Sequence, residues 1–79
     1  KIAVPVRNIA AEVHELFPEV DSIAVAKAEM VCAVGEESSP AVLVVVHCPK
    51  GLGEEHAGKL KSWLEKRLEV DRVEIFRKQ

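Results

Sequence analysis

Three histidines and two cysteines are the side chains of this 79-residue chain best suited to metal or nucleophile chemistry, so their spacing is the first thing to weigh. The metal candidates are His14, Cys32, His47, Cys48 and His56. Zinc ligands in a small domain come as tight pairs two to four residues apart, and this set holds none. His47 and Cys48 are adjacent, and if they lie on a strand they point to opposite faces. The histidines therefore read as solvated or half-buried structural residues, with no metal site. Cys32, between Val31 and Ala33, reads as a small apolar residue whose thiol is poorly reactive. Ser38 and Ser39 lack a Gly-x-Ser-x-Gly setting. Glu36-Glu37 and Glu54-Glu55 read as a solvated turn and a helix start rather than an acid/base pair. Gly51-Leu52-Gly53 is too short for a phosphate loop and has no Lys-Ser/Thr after it. No catalytic residue is assigned, and no cofactor is expected in this fragment.

At 48% hydrophobic and 30% charged, the chain has the composition of an ordinary globular domain. Its formal net charge of −2 gives no field to hold a phosphate backbone, so nucleic acid is excluded as a partner. The longest apolar run, Ala41 to Val46, falls far short of the ~20 residues that span a bilayer. The opening Lys1-Ile2, with no initiator Met and no signal-peptide pattern, reads as the start of a piece of a longer protein, or of a chain trimmed of a disordered start. Residues 1–79 form one domain on this reading. If a hairpin closes with Val34 facing Ala41, Cys32 pairs with Leu43 and Cys48 with Lys27, well beyond the ~7 Å Cα limit for a disulfide. Two free thiols fit a reducing cytoplasm.

The elements that must position these residues follow from periodicity. Val6, Ile9, Ala10, Val13, Leu16 and Phe17 recur at spacings of three and four, which predicts a helix from Pro5 that stops before Pro18. Lys1 to Val4 predicts a short edge strand. Ser22 to Val34 alternates as one long strand, or as two with a kink near Lys27-Ala28. Glu36 to Pro40 reads as a polar turn. The unbroken Ala41 to Val46 run predicts a central strand covered on both faces. Pro49 to Gly53 is a loop, and Glu54 to Leu68 a second helix burying Ala57, Leu60, Trp63, Leu64 and Leu68, with charges that complement its dipole. Val73, Ile75 and Phe76 predict the last strand. The fold class is α+β: a small three- to four-stranded sheet with two helices, in the order (β)-α-β-β-α-β.

The succession of Lys1-Ile2 and Pro5, Phe17-Pro18-Glu19-Val20, Ala24-Val25, Gly35-Glu36, Ala41 to Val45, Glu54-Glu55 with Leu60, and Val73-Glu74-Ile75-Phe76 resembles the small C-terminal domain of the adenylate-forming superfamily. That superfamily holds acyl- and aryl-CoA ligases, peptide-synthetase adenylation domains and luciferases. The chain departs from it on the first helix, where Arg7-Asn8-Ile9-Ala10-Ala11-Glu12 stands in place of Glu-Ile-Glu. It departs again before the last strand, where Leu68-Glu69-Val70-Asp71 stands in place of Tyr-Lys-x-Pro. The family's adenylation lysine lies beyond its last strand in a Pro-Arg-Thr-x-x-Gly-Lys stretch, so no role passes to Lys78.

The resemblance implies a mobile lid on a larger N-terminal domain that binds ATP and Mg with a carboxylic acid. The family activates that acid as an acyl-adenylate and passes it to a thiol of CoA or a carrier protein. The fragment would then be non-catalytic alone and dock through a sheet edge and the Pro49 to Gly53 loop. The alternative is a binding, regulatory or dimerisation module, which the chain resembles through the element order of the cation-efflux transporters' cytoplasmic domain, with a homodimer formed through a sheet edge.

Overall fold

The computed structural model describes residues 5–79. The first helix, α1, runs Val6–Leu16 with Pro5 at its N-cap in extended geometry. It ends where expected, because Phe17 leaves the helical region ahead of Pro18 while its N–H still closes on Val13 O at 2.7 Å. Ile9 and Val13 are buried and Phe17 closes the stripe, whereas Val6 and Leu16, both expected inside, are exposed. The expected edge strand Lys1 to Val4 lies outside the described residues.

Two ten-residue strands follow, β1 (Ser22–Val31) and β2 (Ser38–His47), and they pair antiparallel. β1 is one strand, ending at Val31 rather than Val34. The hairpin closes through Cys32 to Glu37, with Cys32 N–H donating to Glu37 O at 2.9 Å. Val31 faces Ser38 and Ala26 faces Leu43, so the register differs from the expected Val34–Ala41 closure. The polar Ser38, Ser39 and Pro40 belong to β2, and the exposed Val34 sits in the turn.

Pro40 is tolerated in β2 for a reason the register supplies. Val42 N–H donates to Arg72 O at 3.0 Å, so the nitrogen of Pro40, two residues earlier, points the same way. The neighbouring strand does not begin pairing until Val42, so no hydrogen bond is lost there.

The second helix, α2, spans Glu54–Leu68, and β3 (Val73–Lys78) then pairs parallel to β2. The product is an α+β domain of two helices and a three-stranded mixed sheet ordered β1-β2-β3. β2 is central, as expected. Val42, Val44, Val46 and Val73 point from one sheet face into a core with Ile9, Val13, Leu60, Leu64 and Leu68. Both helices thus supply the core on the same side of the sheet, and β2 is covered by them on one face, not two. Leu43 and Val45 have the opposite parity: Leu43 is only half-buried and Val45 is 38% exposed.

α2 stops at Glu69, which adopts left-handed geometry at φ 56 and lets Val70 N–H reach Glu65 O at 3.1 Å. A residue with a Cβ is disfavoured there relative to glycine. Glu69→Gly is expected to raise the melting temperature, by the equivalent of about 0.5–1 kcal/mol; thermal unfolding followed by circular dichroism checks it. Val44 is wholly inaccessible at the centre of the core. Val44→Asp would bury an unpaired carboxylate at a cost of several kcal/mol, comparable to an expected total near ~5 kcal/mol, and should abolish the cooperative melt. A folded, cooperatively melting variant would refute the placement of β2.

Candidate docking surface

The residues first weighed for chemistry are dispersed by the fold. Cys32 lies at the hairpin turn and Cys48 beyond the opposite end of β2; the ten paired rungs between them put the two thiols on the order of 30 Å apart. Both are free, Cys48 buried and Cys32 partly so. The expectation that the two thiols stay apart holds in the observed register, which separates them further than the expected one.

Each histidine has its own setting. Nδ1 of His14 donates to the Val20 carbonyl at 2.7 Å, tying the end of α1 to the entry of β1. His47 stands at the end of β2 opposite Ser22. His56 Nδ1 lies 2.6 Å from Glu19 Oε2, and its ring meets Phe17 edge-on at 6.0 Å. Among the described residues no group of three His, Cys, Asp or Glu side chains is placed to hold a metal ion. Ser38 and Ser39 begin β2, Glu36 and Glu37 sit in the hairpin turn, and Glu54 and Glu55 open α2.

Charged side chains instead brace the layers. Arg67 on α2 grips Glu12 on α1 through two parallel bonds, Nε to Oε1 at 2.8 Å and Nη2 to Oε2 at 2.9 Å. Arg77 on β3 reaches the carbonyl of Leu52 at 3.0 Å and Glu54 at 2.9 Å, holding the Pro49 to Gly53 loop against the sheet. Arg72, just ahead of β3, donates to Glu74 on β3 at 2.7 Å. The expected docking loop is therefore pinned at Leu52, which is buried, while its turn at Gly51 has φ 90, a conformation glycine adopts freely.

The feature without an internal role is the outer face of the sheet. Register places Ala24, Ala26 and Ala28 of β1, Leu43 and Val45 of β2, and Glu74 and Phe76 of β3 on this one face. Phe76 is 53% exposed, and Met30, at the hairpin end of the same face, is 38% exposed. None of these residues belongs to the buried core cluster. An apolar sheet face rimmed by charge is the usual mark of an interaction site. The sequence points to docking at the sheet edge and the Pro49 to Gly53 loop; strand parity adds this face, because Ala24, Ala26 and Ala28 alternate as Leu43 and Val45 do.

Three carboxylates are held below the ordinary glutamate range. Glu12 is lowered chiefly by its bond from Arg67, Glu74 by its bond from Arg72, and Glu19 first by its own backbone N–H and then by His56. Stability from such groups is fully present above the ordinary range and is lost as the pH falls below about 4.3 toward the lowered folded-state value. Glu19→Gln should therefore show a smaller fall in melting temperature between neutral and strongly acid pH than the parent chain. An equal fall in both would show that Glu19 carries none of the acid sensitivity.

No helix among the described residues is long and apolar enough to cross a membrane. No curated protein and no solved structure matches the chain. A family model described as a domain of unknown function, DUF8492, matches residues 5–78, from the N-cap of α1 to the last residue of β3. The match runs through every described helix and strand, and the chain belongs to that family.

Proposed function

We propose that this domain is a docking module without catalysis of its own, which works by having the outer face of its sheet covered by a partner. The observation that carries this reading is the one-sided arrangement of the helices, which leaves Leu43, Val45 and Phe76 with no covering layer among the described residues. A small domain with one core has little stability to spare, and an uncovered apolar face is retained at some risk of aggregation. A partner that buries it turns that liability into binding free energy.

The resemblance to the adenylate-forming ligases supplies one such partner: a larger domain, holding ATP, Mg and a carboxylic acid, on which this domain sits as a mobile lid. The α-β-β-α-β order and the apolar central strand support that reading. In it the domain contributes shape and a contact surface in the cytoplasm, where two unpaired thiols persist. The second reading, an assembly module, is favoured by the same uncovered face, where Val45 and Phe76 are exposed.

Isotope-shift mapping of the chain during titration with the domain that precedes it in its parent protein tests the docking role. Saturable shifts on Ala24, Leu43, Val45 and Phe76 are expected. Shifts confined to the exposed helix surfaces would contradict the assignment of the face, and ATP turnover by the 79 residues alone would contradict the absence of catalysis.

A further inference from the structure

Among the described residues β1 is an edge strand, and the direction of its backbone groups is fixed by the hairpin. Cys32 N–H donates to Glu37 O, so the even-numbered residues of β1 turn their N–H and C=O groups toward β2. Val25, Lys27, Glu29 and Val31 turn theirs to the other side. The pairing with β2 runs through β1 without a skipped position, and β1 holds no proline, so neither a bulge nor a missing donor blunts this edge. Ile23 and Val25 pack against the core, but beyond them the strand leaves the helices. Lys27, Glu29, Met30 and Val31 are exposed, Val31 at 67%. Lys27 and Glu29 share a sheet face, and among the described residues neither is in an ion pair with its own chain.

We infer that β1 pairs antiparallel, edge to edge, with β1 of a second copy of this chain, about a two-fold axis at Ala28 that sets Lys27 of each copy opposite Glu29 of the other. This edge is separate from the outer face, and its pairing does not depend on what covers that face. A two-fold pairing makes the strand meet itself, so the register is set by the residue at the axis. An axis at Lys27 or Glu29 puts like charges opposite each other, which destabilises a sheet. An axis at Ala26 or Met30 sets each charge against an apolar residue. Only at Ala28 do both opposite-charge pairs form. There Val25 also stands opposite Val31, and the short Ala26 opposite the long Met30. Ala28 meets its counterpart in a non-hydrogen-bonded pair, where the Cα atoms approach to about 4.5 Å and a small side chain fits best. An inward-facing lysine guards an edge against unrelated strands. In this register the glutamate of the second copy lifts that guard.

Strand addition takes its affinity from main-chain hydrogen bonds more than from buried area. Each opposed pair among Val25, Lys27, Glu29 and Val31 exchanges two, about eight in all. With little side-chain surface buried beside them, the dimer is weak and reversible. The axis is perpendicular to the sheet, so each three-stranded sheet continues into the other with the helices of both copies on one side.

Sedimentation equilibrium of the whole chain between about 10 μM and 1 mM tests this, with a monomer–dimer equilibrium expected inside that range. Lys27→Glu and Glu29→Lys, both at exposed positions, should each weaken association at least about tenfold while leaving the melting curve close to the parent's. An equimolar mixture of the two variants should associate again, because each then supplies the charge the other lacks. The register is read by disulfide trapping in a Cys32→Ser background. Ala28→Cys chains should link to one another on air oxidation, since Cα atoms about 4.5 Å apart suit a disulfide. Ala26→Cys chains, opposite Met30, should not. Ala26→Cys linking as readily as Ala28→Cys would overturn the register. A chain monomeric throughout, or association that neither charge reversal weakens, would overturn the pairing. A monomeric chain whose Lys27 and Glu29 amides resist hydrogen exchange would give the edge to another occupant, the segment Lys1 to Val4, and overturn the second copy.

Discussion

The structure depends on one packing event: the valine row Val42, Val44 and Val46 of the central strand meets the leucine row Leu60, Leu64 and Leu68 of the second helix. Ile9 and Val13 extend the row from the first helix, and Val73 extends it from the parallel strand. These side chains are almost wholly inaccessible, and within a domain this small they are the one place where enough apolar surface leaves water to offset the entropy of ordering the chain. Every other feature is arranged around that layer. The bidentate Arg67–Glu12 contact holds the two helices side by side over it, and Arg77 holds the loop that leads into the second helix. These ion pairs are only partly buried and fix geometry more than they add stability.

Placing both helices on one side has a direct consequence for function. A three-stranded sheet has two faces, and a chain with two helices that spends both on one face leaves the other to solvent or to a partner. The side chains on that second face are not those of a solvated surface. Alanine, leucine and valine occupy its first two strands, and on β3 Phe76 stands between Glu74 and Lys78.

How far this was legible in the sequence differs by element. Both helices were, since spacing of three and four together with Pro5, Pro18 and the charges at the ends of the second helix marks their limits. The hairpin was located but misaligned. The polar and proline-bearing Glu36 to Pro40 segment looked like the turn, whereas the chain reverses earlier, through Cys32 to Glu37, and exposes Val34. Hydropathy points the wrong way there, and the reason Pro40 can sit in a strand is the absence of a neighbour on its nitrogen side, which only the register reveals. The error of six positions is even, so the alternation of faces survived it. The both-faces burial of the central strand was the more instructive error. An unbroken Ala41 to Val46 run reports that both sides are apolar and says nothing about whether this chain or another molecule covers them.

The site was less legible than the fold. Histidines and cysteines invite a search for metal or nucleophile chemistry, yet the fold sends Cys32 and Cys48 to opposite ends of the hairpin and gives His14 and His56 structural bonds. The residues that distinguish the surface are ordinary apolar ones, visible only once parity across three strands is known. The chain has two phenylalanines, Phe17 in the core and Phe76 on the outer face, which makes fluorine NMR of fluorophenylalanine-labelled protein the most direct measurement. As protein concentration rises, or as a partner domain is added, the Phe76 resonance is predicted to shift while that of Phe17 stays fixed. A Phe76 resonance that remains stationary and solvent-accessible under both conditions would contradict the account.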